Sequence, residues 1–249
     1  MDKDRNQENR SVKTAAVIPA AGAGIRMGQG RAKQFLDFWG RPMLAVTLEV
    51  FQHCPSIDGV ILVVPPENVE ECRRSIVEAW GLTKVKKVVE GGRRRQDSVR
   101  RGIRATGGEF ERILIHDGVR PLVRPGLIER IVAEGPHERA AITALPAKDT
   151  VKAVTEEGFV EKTHDRRRIW LVQTPQIFKY EDILEAHNRA IREGWVDVTD
   201  DALLMERMGI PVKVIEGSEE NIKVTTPHDM ALAQYLWRKN ESADRHKRQ

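Results

Sequence analysis

Cysteine is nearly missing from this chain of 249 residues: Cys54 and Cys72 are the only two, and they form no C-x-x-C pair. Their spacing with the histidines offers no zinc site, and two free, buried thiols are the expectation. Long apolar runs are missing too. No stretch approaches the roughly 20 residues that a membrane-spanning helix needs. The opening MDKDRNQENR lacks the apolar core of a signal peptide. A cytoplasmic protein with no membrane partner is therefore expected. A broad field of one charge is also absent. The formal charge is +4, but residues 1–13 carry net +1 and residues 238–249 net +3, so residues 14–237 are neutral overall. Arg93-Arg94-Arg95 and Arg166-Arg167-Arg168 are local clusters in a balanced domain, which argues against nucleic acid as a partner. With 40% hydrophobic and 31% charged residues, the chain reads as a soluble globular protein able to bury a substantial core.

What is present is an alternation of strand and helix signals. The apolar runs Ala15–Ile18, Gly59–Val64, Arg112–His116 and Ala140–Leu145, with the shorter Val85–Val89, read as strands of a mostly parallel sheet buried on both faces. Helices are expected after Pro42, over 67–80, after Gly91-Gly92, over 125–134, over 180–192, over 199–208 with Thr199 as cap, and from Pro227, where Thr226 and Asp229 make a start signal. The fold class is thus α/β, a twisted, mostly parallel sheet flanked by helices. Residues 150–163, with Gly158 between two alternating runs, predict a β-hairpin too polar for the core. It projects as an arm over 147–170 from a single domain spanning 14–239, and 1–13 and 240–249 are expected to be mobile tails. A further strand is read over Ile169–Val172, and another over 211–215.

In an open α/β sheet, ligands bind at the carboxyl ends of strands. Three strand ends carry polar, glycine-bearing loops, at 20–33, 91–98 and 117–121, and their convergence would form one site. The first loop follows a short apolar strand with Ala20-Ala21-Gly22-Ala23-Gly24, then Arg26 and Lys33. Small residues let backbone N–H groups approach an anion, and the two cations would neutralise it. Neither standard phosphate motif is met: Met27 stands where G-x-G-x-x-G needs its third glycine, and Gln34 replaces the hydroxyl residue after the P-loop lysine.

One ordered set of residues carries more information than any of its parts. Pro19-Ala20-Ala21-Gly22-x-Gly24-x-Arg26-Met27, Lys33-Gln34, Gly91-Gly92, Asp97-Ser98-Val99, Asp117-x-x-Arg120-Pro121, Thr174-Pro175-Gln176 and Asn221-Ile222-Lys223-Val224-Thr225 together resemble the 2-C-methyl-D-erythritol 4-phosphate cytidylyltransferase family over nearly all of 14–239. The resemblance implies a Rossmann-like nucleotidyltransferase fold, transfer of CMP from CTP to a sugar-alcohol phosphate, Mg²⁺ as cofactor, and a homodimer built through the arm. It makes Arg26 and Lys33 the catalytic cations. It places Ala20, Ala21, Gly22, Gly24, Gly92, Ser98, Asp117, Gly118 and Arg120 around the nucleotide, with Asp117 supporting the metal. Arg166, Lys223, Thr150, Thr174 and Thr199 fall to the acceptor, Arg166 reaching the neighbouring subunit's site. Ser98 keeps two readings, a helix start or a base contact, and Asp117 can equally be a strand-end turn residue. Departures from the family pattern are Ala32 for the usual proline before the lysine, Gly118-Val119 for a commoner Ala-Ala pair, and Arg93 for a small or acidic residue. Two alternatives stand beside this reading: a ribitol-5-phosphate cytidylyltransferase, and a non-catalytic nucleotide- or RNA-associated module using the arginine clusters.

Overall fold

The computed structural model describes residues 12–22, 35–135, 138–196 and 198–247, with side chains to 240. Strand β1 (Thr14–Pro19) lies between two parallel neighbours, β2 (Gly59–Val64) and β4 (Arg112–Ile115), and β2 pairs in parallel with β3 (Val85–Glu90). Every residue of β2 is buried, which is why its sequence is apolar throughout rather than alternating. Beyond β4 come β8 (Trp170–Lys179), β5 (Ala140–Pro146) and β9 (Lys213–Glu216), giving the order β3-β2-β1-β4-β8-β5-β9.

β8 corrects the expected strand. It does not stop at Val172 but runs ten residues, antiparallel to both β4 and β5. Pro175, which cannot donate to a ladder, sits where the register shifts. Ala144 pairs with Val172 and Ile142 with Gln176, so one residue of β5 faces three of β8. The bulge accommodates the proline and turns polar side chains off the ladder.

Helices cover both faces. On one side α1 (Met43–His53), α2 (the helical stretch over 66–78) and α4 (Pro125–Glu134) pack Leu44, Leu48, Phe51, Ile76, Ile128 and Ile131 against the sheet. On the other, α3 (Arg95–Ala105), α5 (Tyr180–Arg192) and α6 (Ala202–Arg207) contribute Val99, Ile103, Ile183, Leu204 and Met205. Helix α3 comes so near the sheet that a Cβ on Gly102 would stand 2.4 Å from Val17 Cγ1. Thr199 is not the cap of α6. The helix starts at Ala202, and the Asp200 carboxylate accepts the Leu203 N–H at 3.1 Å, a stronger acceptor at the helix's positive end. The start of α7 (Pro227–Lys247) is as expected: Asp229 accepts the N–H groups of Thr225 and Thr226, and Thr226 Oγ1 accepts that of Asp229. The helix continues through the segment expected to be a tail, as far as Lys247.

A third, smaller cluster ties α7 to the body. Phe38, Met43, Val46, Val119, Leu122, Val224 and Ala233 pack together, with Trp237 edge-on to Phe38. The hairpin forms as read, β6 (Lys152–Val154) against β7 (Val160–Thr163), in a sheet of its own. It leaves Val154, Phe159 and Val160 exposed, Phe159 at 72%, beside exposed Trp170, Leu171 and Val172. Cys54 and Cys72 are free and buried, and burial, with Glu71 nearby, pushes the Cys72 thiol up to about 12. Among the described residues no helix is long and apolar enough to cross a membrane.

Candidate active site

Backbone hydrogen bonds stitch the three strand-end loops together. Ala20 N–H donates to Val63 O and Gly91 N–H to Val64 O, both at 2.7 Å, and Gly118 N–H to Pro19 O at 3.2 Å. Gly91 is needed for this closeness, since a Cβ there would lie 2.2 Å from that of Ala21. The roots of the three loops therefore converge as expected, residues 23–33 of the first lying outside the described residues. Within the second loop Gly92 N–H donates to Ser98 Oγ, which donates in turn to Arg94 O. The described bonds of Ser98 thus belong to the start of α3, where Asp97 also accepts from Arg94.

Beside the loops lies a pocket of about 490 Å³. Asp117, Arg120, Thr174, Thr199 and Lys223 line it, together with Arg95, Gln173, Gln176 and Asp200. Its electrostatic centre is Asp117, only 6% exposed. Lys223 Nζ lies 2.9 Å from its Oδ2, Arg95 Nε 3.1 Å from its Oδ1, and Arg120 Nε 3.6 Å from its Oδ2. Burial alone would raise this carboxyl's pKa; the cations, Arg95 first and then Lys223 and Arg120, hold it far below the usual range. Arg120 is itself oriented by donating to Asn221 O at 2.7 Å, and Asn221 donates to Thr174 O at 2.6 Å.

His116, read from sequence as a strand-end residue, is fully buried behind this cluster. Burial pushes its pKa down to about 4, although Asp117 opposes the shift. A neutral ring whose Nε2 donates to Arg120 O (3.3 Å) presents Nδ1 as an acceptor to the Thr174 hydroxyl (3.1 Å). The same hydroxyl oxygen accepts Asp117 N–H at 3.1 Å. His116 thus sets the direction of Thr174 and holds the 117–120 turn.

Of the residues singled out from sequence, Asp117, Arg120, Thr174, Thr199 and Lys223 share the pocket. Asp117 and Arg120, expected beside the nucleotide, therefore stand with the residues assigned to the acceptor. Ala20, Ala21, Gly22, Gly92, Ser98 and Gly118 lie in or beside the stitched loops. Arg26, Lys33 and Gly24 lie outside the described residues. Thr150 and Arg166 are exposed on the arm and do not line the pocket of their own chain; Arg166 donates to Lys148 O. Sequence reasoning assigned no role to Arg95, to Gln173, to Gln176, which donates to Asp200 Oδ2 at 2.9 Å, to Asp200 itself, or to Asp201, which accepts from Arg95 Nη1 at 2.7 Å. The available signal for Arg95 was its place at the exit of a strand-end glycine loop. Among the described residues no three His, Cys, Asp or Glu side chains gather to hold a metal ion.

The family model for 2-C-methyl-D-erythritol 4-phosphate cytidylyltransferase matches residues 14–239. The proteins of that name from Geobacter metallireducens and Desulforamulus reducens are each 47% identical to this chain, over 88% and 90% of its length and 95% and 96% of theirs. A solved 4-diphosphocytidyl-2C-methyl-D-erythritol synthase from Anaerococcus prevotii superposes with a TM-score of 0.80 at 31% identity, covering 91% of this chain and 96% of that one. The 2-C-methyl-D-erythritol 4-phosphate cytidylyltransferase of Thermus thermophilus gives 0.73 at 35% identity, covering 90% and 98%.

Proposed function

Because the chain belongs to the 2-C-methyl-D-erythritol 4-phosphate cytidylyltransferase family, a family of CTP-dependent transferases in isoprenoid biosynthesis, we propose that the Asp117 pocket seats the acceptor phosphate and that the 20–33 loop holds the triphosphate. The reaction joins an oxygen of the acceptor phosphate to the α-phosphorus of CTP and breaks the bond from that phosphorus to the β-phosphate bridge, releasing pyrophosphate. A phosphate dianion needs no general base, so the protein's work is positioning and charge compensation. The observation that carries the reading is the gathering of three cations, Lys223, Arg95 and Arg120, on the single buried carboxylate of Asp117, with the Thr199 hydroxyl beside them; Asp200 and Glu206 line the same pocket, so the cations are concentrated on one side of it rather than in excess. Lys223 and Thr199 bind the acceptor in this scheme, Arg120 and Thr174, whose hydroxyl proton goes to His116, brace them, and Arg26 and Lys33 stabilise the transition state.

Nucleotidyltransferases generally use a divalent metal, and Mg²⁺ is the ion proposed for this one. The donor set fits a metal carried on the substrate rather than caged by protein, since phosphate oxygens supply hard ligands and Asp117 is an ionised carboxylate lining the pocket. The triphosphate oxygens would hold the ion, which would offset their charge; Asp117, with both oxygens engaged by Arg95, Arg120 and Lys223, would add a negative charge nearby rather than a principal ligand. A cytoplasmic, small-molecule enzyme with no nucleic-acid partner completes the proposal. Pyrophosphate release from CTP and Mg²⁺ should be rapid with 2-C-methyl-D-erythritol 4-phosphate and slow with ribitol 5-phosphate. The opposite preference would reassign the acceptor, and no release with either would remove the enzymatic reading.

The arm extends the proposal to a homodimer. Its exposed Val154, Phe159 and Val160 supply apolar surface that a second copy can cover. Arg166 and Thr150 then serve the neighbour's site. Arg26→Ala and Arg166→Ala subunits, each inactive alone, should regain about a quarter of wild-type activity when mixed in equal amounts, because half of the C2 dimers are then mixed and each restores one site. Mixed dimers that form but stay inactive would show that the arm serves its own chain.

A further inference from the structure

Asp117 meets three cations with two oxygens, and those cations differ in what else holds them. Lys223 sits on a flexible stem, 41% exposed, and Asp117 is its ion-pair partner among the described residues. Arg120 is tied to Asn221 O. Arg95, the first residue of α3, is tied most firmly: its Nη1 donates to Asp201 Oδ2 at 2.7 Å while its Nε donates to Asp117 Oδ1. Asp201 stands just before α6, its side chain 1% exposed, and its other oxygen accepts from His187 Nε2 of α5 at 3.1 Å. Three helices thus converge on one guanidinium, and its planar fork spans two carboxylates that a lysine could not bridge.

Resting on the acceptor-site reading above, we propose that Arg95, clamped by Asp201, is the positioning residue that keeps Asp117 in place when Lys223 leaves it for the acceptor phosphate. A carboxylate this buried does not stand unpaired. If Lys223 were its main partner, every turn of the lysine toward a phosphate would strand Asp117, and the pair would resist opening. With Oδ1 held by a clamped arginine, the Lys223 contact becomes dispensable and the lysine is free to move. The charge state agrees: burial pushes the Arg95 pKa down, but Asp201 and Asp117 outweigh it and raise it. Arg95 is also the leading cation in holding Asp117 ionised.

Steady-state kinetics on the full chain test this, with CTP and 2-C-methyl-D-erythritol 4-phosphate varied in turn. Asp201→Asn should raise KM for the acceptor by about tenfold while KM for CTP changes by less than about twofold. In a Lys223→Ala background the same substitution should add less than about twofold, because no lysine remains to be handed over. Arg95→Lys, which keeps the charge but loses the bridge, should reproduce the acceptor effect, and it decides the matter if Asp201→Asn fails to fold. A merely structural role would weaken both substrates and add fully to Lys223→Ala. Either that additivity, or an unchanged acceptor KM in the folded variants, overturns the proposal. If Lys223→Ala alone leaves acceptor KM unchanged, the acceptor-site reading falls and takes this inference with it; if Lys223→Ala raises it and the other two do not, only the inference falls.

Discussion

Arg26→Ala and Lys33→Ala are each expected to lower kcat on the order of 10²-fold or more, the scale seen when a preorganised charge-stabilising donor is removed. In this reaction two anions must approach and a third, pyrophosphate, must depart. The repulsion rises toward the transition state, so a cation fixed beside the triphosphate contributes more there than in the ground state. KM for CTP should therefore rise less than kcat falls. The segment 23–34 that carries both residues begins and ends on anchored chain. At one root Ala20 is bonded to β2, and Ala21 packs on Gly91. At the other, Phe38 is fully buried, Phe38 N–H donates to Arg41 O at 2.7 Å and Met43 N–H to Leu36 O at 3.1 Å. Pyrophosphate release at saturating substrates is the measurement. A loss below about tenfold in both variants would place the compensating charge on other residues.

Phe38→Ala carries the second large effect, a loss of about 3–5 kcal/mol of folding stability, as for other buried aromatic truncations. The ring is fully buried and meets Trp237 edge-on, with centroids 5.6 Å apart, a geometry that adds to area burial. Urea titration should show the midpoint falling with little change in slope. Activity should fall further than stability alone requires. The cluster around Phe38 also holds Val119, beside Gly118 and Arg120, and Val224, beside Lys223, and Val224 N–H donates to Val119 O at 2.9 Å. Loosening it disturbs both loops that line the pocket proposed for the acceptor. Leu82→Ala, buried just before the edge strand β3 and away from the pocket, should cost about 2–5 kcal/mol while leaving KM for the acceptor nearly unchanged in the folded protein. Equal effects on KM from both variants would remove the distinction.

Much of the fold could be read from residues because the sheet is covered on both faces. Burial on two sides demands continuous apolar runs, and those runs mark β1, β2, β4 and β5 with small boundary differences. Pro42 located the start of α1, and Thr226 and Asp229 around Pro227 that of α7, while Gly158 located the hairpin turn. β8 was hidden beyond Val172 because its middle is polar and contains Pro175, features that ordinarily end a strand. The start of α6 was misjudged because Thr199 and Asp200 both suit a helix start, and only the fold shows that the Asp200 carboxylate is the group facing a free N–H. The site divides in the same way. Asp117, Arg120 and the glycine loops follow from topology, since strand ends must face the ligand. Arg95 and Asp201 lie 106 residues apart, and nothing local in either segment indicates that α3 and α6 bring them together.

The bulge in β8 also limits how the chain's length can change. Its excess over β5 is two residues, an even number, so the alternation of faces is the same before and after it. Ile177 therefore points into the core under α4 and Phe178 into the core under α5. Deleting or inserting a single residue between Val172 and Gln176 would exchange those two side chains between the layers and turn the strand over. A change of two would preserve both cores and alter only how far Gln173 and Thr174 stand into the pocket. Paired insertions or deletions are the length changes this segment can accept, which makes the bulge a place where pocket depth can vary without refolding the sheet.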